Sequence, residues 1–322
     1  MEYKYFIKRF LLFILPLVIL LIILEFSIRK IPSSYVIKKQ YFEKTVDSIE
    51  ALVLGNSHML HGVNPDYFSV KGFNLASGFQ NYFYDKALTL PYLDRLKKLK
   101  IVFISADYIS FYYRIKDVAD WIDYGYYRAW NVKDSGLSIW DSRNYSTFML
   151  YTPSQSLDYI LKGDKKALAK NLKPNGFNPE DSAANEANVT EASGRIRANY
   201  HTKIIKFSRQ EESLNHLETL ITELQKRNIR VVLLAPPVFS TYSKHCDTSI
   251  INRTNKIISG VLSNYNCQYR DYSTDQRFVQ TDFHDNDHLN YSGAAKFTRI
   301  LDEDFVKPLL FTQVNQIRNA VQ

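Results

Sequence analysis

The chain has 322 residues, 45% hydrophobic and 23% charged, enough to bury a sizeable core as one large domain or two small ones. Its formal net charge of +8 suits anionic membrane or polymer surroundings. No basic tract is interleaved with a nucleic-acid motif, so a DNA or RNA partner is not expected.

Residues Phe10 to Leu24 form an apolar run that continues through Glu25-Phe26-Ser27-Ile28. As a helix rising about 1.5 Å per residue, the segment approaches the roughly 30 Å of a bilayer core. Lys4, Lys8 and Arg9 precede it, which predicts a cytoplasmic N-terminus and export of the rest, although Arg29, Lys30, Lys38 and Lys39 follow. A cleaved signal peptide is the rival reading, but Glu25, Phe26 and Arg29 stand where a small-x-small site would be. An uncleaved signal anchor over 1–30 is therefore expected, with Glu25 near the outer interface and Arg29 one turn on as its partner. A polar, basic stalk over 31–48 follows.

Five short segments then read as strands, the first of them a buried apolar run stopped by glycine: Glu50 to Gly55, Lys71 to Ala76, Lys100 to Ser105, Arg230 to Ala235 and Gln268 to Tyr272. Helical patterns occupy 81–98, Glu211 to Arg227, 249–265 and Ser292 to Phe305. An aromatic-rich insertion at about 108–205 interrupts the alternation. It carries Tyr108, Phe111, Tyr112, Tyr113, Trp121 and Trp140, and ends in a polar tract from Asn178 to Ser193 read as a loop. The aromatics could stack on sugar rings or form a small core of their own. Strands alternating with helices imply a parallel sheet with helices on both faces, and function collects at the carboxyl ends of such strands. Ser57 follows the first strand, Asp107 the third, and Asp285 and His288 the fifth.

A serine hydroxyl becomes nucleophilic when a histidine takes its proton, and a third group must hold that imidazole in one tautomer. Asp285 and His288 are three apart, so the carboxylate can reach Nδ1 and leave Nε2 for Ser57. Taken singly, Ser57 reads as a helix N-cap, His288 as a loop histidine, and Asp285 and Asp287 as solvated loop acids. Taken together they favour catalysis.

Three islands carry a resemblance: Gly55-Asn56-Ser57-His58, Asn74-Leu75-Ala76-Ser77-Gly78, and Asp285 to Ala294. The chain resembles the SGNH (GDSL-like) hydrolase superfamily. The likeness is greatest to its membrane-anchored branch linked to polysaccharide acylation, relatives of the alginate-acetylation and DltD-like proteins. It spans roughly 50–107 and 210–305. It implies a flavodoxin-like three-layer sandwich, with a catalytic domain over 49–310 and a tail over 311–322. It further implies Ser57 as nucleophile, His288 as base, Asp285 as orienting acid, and the N–H groups of Ser57 and Gly78 as oxyanion donors. Family members place an asparagine after the third strand. This chain has Ser105-Ala106-Asp107, so Asn74 or Asn81 is the candidate third donor and Asp107 is assigned to loop orientation.

The resemblance implies an O-acyltransferase, acetyl above all, that takes an acyl group from a donor to a polysaccharide acceptor with a multispanning membrane partner supplying the acyl group. An esterase or deacetylase of the same fold, and a non-catalytic envelope binding or assembly protein, remain open. No cofactor is implied. His58, His61 and Asp66 are not expected to bind metal, nor are His245 and His284. Cys246 and Cys267, both on the side read as exported, are expected to form a disulfide closing a loop of about 20 residues.

Overall fold

Runs of Val, Leu, Ile and Phe set the sheet. Strands β1 (Ala51–Leu54), β3 (Ile101–Ser105) and β4 (Arg230–Ala235) are almost wholly buried, as central strands covered on both faces must be. Together with β2 (Gly72–Asn74) and β5 (Gln268–Asp271) they form a five-stranded sheet in the order β2-β1-β3-β4-β5, parallel at every pairing. The protein is an α/β chain. The structure is a computed structural model, and it describes residues 2–30, 32–134, 136–138, 140–147, 156, 160–161, 171–180 and 189–311.

The helices are α1 (Glu2–Arg29), α2 (Ser34–Thr45), α3 (Ser57–Gly62), α4 (Tyr82–Thr89), α5 (Trp121–Trp130), α6 (Glu191–Ile204), α7 (Gln210–Gln225), α8 (Ser240–Ser243), α9 (Thr248–Asn264) and α10 (Tyr291–Leu301). Helix α3 packs on β1, β3 and α10, while α7 packs on α4 and β4. One core joins Val53, Met59, Phe103, Val232, Leu289 and Phe297.

Two edges are handled differently. The outer edge strand β5 is polar and largely exposed, which discourages pairing with another sheet. At the opposite edge, the N–H of Asn74 donates to Asn175 O (2.8 Å), so the turn around Gly176 covers β2. Gly176 has φ +83°, and a Cβ there would lie 2.0 Å from Asn74 O.

The helix expected over 81–98 stops at Thr89. Pro91 supplies no N–H to continue the α-helical ladder, so Leu90–Tyr92 is a single 3-10 turn. The helix expected to end at Phe305 is α10, which widens into a π turn at Asp302–Val306 and stays helical through 307–311. The segment read as a stalk contains α2, with Lys38 and Phe42 buried. Of the tract read as a loop, 181–188 lies outside the described residues, and Thr190 already caps α6.

The chain divides into two compact units, Met1–Ile37 with Trp121–Lys170, and Lys38–Asp120 with Asn171–Gln322. In the first, α1 is long and apolar enough to cross a membrane, its side chains from Tyr3 to Ile23 mostly exposed. Glu25 accepts from Arg29 (2.6 Å), Ser146 and the Thr147 N–H. The second unit holds the sheet. The aromatic stretch is split between the units: Phe111, Tyr112 and Tyr113 are fully buried in the second, so they offer no stacking platform.

Candidate active site

Gly55 ends β1 with φ +120°, where a Cβ would meet Ser105 Oγ at 2.2 Å, so only glycine permits the strand to turn there. Asn56 then caps α3, its Oδ1 accepting the His58 N–H at 3.0 Å. Ser57 is thereby the first residue of α3, at the carboxyl edge of the sheet. The N-cap expected of Ser57 taken alone belongs to its neighbour.

The other island is a closed loop before α10. Asn290 caps that helix through the Gly293 N–H (2.9 Å), and the His284 N–H donates to His288 O (2.9 Å). Inside the loop, Asp285 Oδ1 accepts the N–H groups of Asp287 and His288, which holds both carboxylate oxygens against the His288 ring.

Ser57 Oγ lies 2.9 Å from His288 Nε2, and His288 Nδ1 lies 3.0 Å from Asp285 Oδ2. Burial disfavours charge on Asp285, but His288 beside it and the loop N–H groups hold its carboxyl below the ordinary range. An Nδ1–H donated to Asp285 leaves Nε2 as the acceptor for the serine proton. The Ser57 and Gly78 N–H groups donate to no protein acceptor among the described residues. Gly78 opens a turn closed by Gln80 N–H to Ser77 O, with Phe79 at φ +52°, a strained position for an aromatic residue.

A second histidine, read from sequence as structural, lies in the same cluster. His58 Nδ1 is 2.7 Å from Asp107 Oδ2 and its Nε2 is 3.1 Å from Asp287 Oδ2. A neutral imidazole has one N–H and could satisfy only one carboxylate, so the geometry requires imidazolium. Burial opposes that charge, but the two aspartates outweigh it and raise the pKa to about 10. Arg197 Nε lies 2.9 Å from both Asp287 oxygens. Two buried carboxylates are thus met by two cations, as the cost of burying unpaired charge demands. Asp287, far from a solvated loop acid, is 1% exposed and held well below the ordinary carboxylate range.

Other expectations need correction. Asn74 cannot donate to an oxyanion. It is fully buried, and its Nδ2 is committed to Met59 O (2.8 Å) and Val63 O (2.7 Å), carbonyls at the end of α3. Asn81 caps α4. Cys246 and Cys267 are free thiols. The 17 residues of α9 stand between them, about 25 Å of helix, whereas a disulfide needs Cα atoms within about 7 Å.

His58, Asp287 and His288 each bring one donor atom within 4.8 Å of the others. A metal ion there would face Arg197 and a charged His58, and would have to displace the hydrogen bonds of all three. The donor chemistry does not suit one. His61 donates to Asn178 O (2.7 Å), and burial with His288 nearby drives its pKa down to about 3.

No family model matches this chain. Comparison with characterised proteins likewise gives no match. The functional reading therefore rests on the residues themselves.

Two spaces adjoin the cluster. A groove of about 500 Å³ runs past His284, Asp285 and Asp287 under Ile196, Arg197 and Tyr200 of α6. A smaller cavity of about 220 Å³ lies against His58 and Asp107, between Tyr108, Tyr242 and Tyr269.

Proposed function

We propose that this protein is a membrane-anchored serine O-acyltransferase of the SGNH type, acting on a cell-envelope or secreted polysaccharide. The observation that carries the reading is the 2.9 Å approach of Ser57 Oγ to His288 Nε2, with Asp285 on the far nitrogen. Ser57 Oγ attacks an acyl carbonyl while His288 takes its proton, and His288 then returns that proton to the departing oxygen. The acyl-serine is next attacked by a sugar hydroxyl, deprotonated by the same Nε2, which hands that proton to the departing Ser57 Oγ. The free N–H groups of Ser57 and Gly78 are suited to the oxyanion.

Strand order and parallel pairing agree with a flavodoxin-like sandwich, which belongs to the same proposal. So does the topology: a cytoplasmic N-terminus, α1 across the cell membrane, and the site outside, where a multispanning partner supplies the acyl group. The open groove beside Asp285 suits a polymeric acceptor better than a closed cavity would.

The test is acetate release from a chromogenic acetyl ester by the full chain in detergent, with and without an oligosaccharide. Wild-type turnover lost in Ser57→Ala, with acetylated sugar as the product, supports the proposal. Free acetate alone in the presence of sugar would make the protein an esterase. No acyl-serine with any donor would leave a binding protein.

A further inference from the structure

We propose that the cleft at the C-terminal end of α1 binds the phosphate headgroup of an anionic phospholipid. The cleft has a volume of about 320 Å³ and lies wholly within the unit that contains α1. Arg29, Lys30 and Arg128 line it together with the hydroxyl-bearing Ser33 and Thr147, and among the described residues no acidic side chain does. Glu25, which is not among the lining residues, offsets Arg29. Arg128 is held in place by Thr147 Oγ1 at 2.5 Å. Lys30 has no ion-pair partner among the described residues, so its ammonium is available.

Depth identifies the ligand. The apolar run that approaches the roughly 30 Å of a bilayer core continues through Ile28, and Arg29 and Lys30 follow it directly. Long basic side chains at that boundary extend outward into the headgroup layer. A chain that crosses a membrane through α1 therefore opens this cleft into the layer of the lipid phosphates. Trp121 borders it and is 51% exposed, as expected of an indole at the interface. One wall is backbone. The ring of Tyr35 lies so close to Gly125 that a Cβ there would sit 2.7 Å from it, so the slot keeps its width only with glycine. Pro32 and Val36 supply apolar contact for the glycerol and upper acyl chain. The proposal depends on α1 crossing a membrane and is independent of the serine chemistry.

Binding of dihexanoyl phosphatidylglycerol, dihexanoyl phosphatidylcholine and inorganic phosphate to the full chain in neutral detergent micelles, by calorimetry, tests this. The anionic phosphatidylglycerol should bind about tenfold more tightly than either the zwitterionic phosphatidylcholine or phosphate, and more weakly as salt rises. Lys30→Gln should weaken it about fivefold, as should Arg128→Gln. Equal binding of the two lipids would overturn the proposal, as would an unchanged affinity in Lys30→Gln, whose side chain has no hydrogen-bond or ion-pair partner among the described residues. Phosphate binding as tightly as the lipid would make the cleft a site for free anions instead.

Discussion

His58 Nε2 and Asp287 Oδ2 are 3.1 Å apart although 229 residues separate them in sequence, and this contact ties the two motif islands together as firmly as the serine–histidine pair does. Because His58 also donates to Asp107, its charge is part of the site's construction. ¹⁵N NMR of the full chain should show both ring nitrogens of His58 protonated at about pH 8, where an ordinary histidine is neutral. A neutral His58 at that pH would refute the charge assignment. Substituting His58→Leu removes the cation beside Asp107 and leaves Asp287 with Arg197 alone, and should cost about 3–5 kcal/mol in denaturant unfolding.

Lys38 provides an independent check. Its Nζ donates to Ala76 O (2.5 Å), and burial lowers its pKa to about 7. Above that value the folded chain lacks a proton that the unfolded chain keeps, so Lys38 makes stability rise with pH. His58 acts in the opposite sense. Its folded value, about 10, lies above its ordinary 6.5, so its stabilisation is complete below about 6.5 and is lost as pH rises through about 10. The two nearly cancel in the native chain. Lys38→Met should expose the His58 slope, a fall of about 1.4 kcal/mol per pH unit between about pH 7.5 and about 8.5. A level profile in that variant would contradict the account.

Two neighbouring aspartates should separate catalysis from stability. Asp285 is one-third exposed and its side chain holds the His288 ring, so Asp285→Asn should lower ester turnover roughly 10³–10⁴-fold with little loss of stability. Asp287 is buried between His58 and Arg197, so Asp287→Asn should instead destabilise the fold by about 3–5 kcal/mol. Turnover and denaturation midpoints of both variants distinguish the roles, and equal behaviour would show that they are not divided in this way.

Gly176 should tolerate no side chain. A Cβ at φ +83° would press on Asn74 O, the carbonyl of the strand the turn covers, and Asn74 also ties off the end of α3. Gly176→Ala should destabilise by more than about 1 kcal/mol, the usual cost of a left-handed non-glycine residue. Unchanged thermal unfolding would mean that the turn is not packed as described.

Much of this was legible in the residues. Runs such as Ala51-Leu52-Val53-Leu54 and Ile101-Val102-Phe103-Ile104 are short and stopped by turn residues, which marks them as buried strands rather than helices, and Gly55 and Pro91 end elements for reasons local to the backbone. The pairing of Asp285 with His288 was equally local, three residues apart in a tight loop. What the sequence could not contain is which distant group each polar side chain meets. Asp107, Asp287, His58 and Arg197 neutralise one another only because β1, β3, α6 and the loop before α10 converge at one edge of the sheet. Asn74 was lost as an oxyanion donor, and the cysteines as a bridge, for the same reason. A side chain's partners depend on packing across tens to hundreds of residues, and local propensity carries no record of that distance.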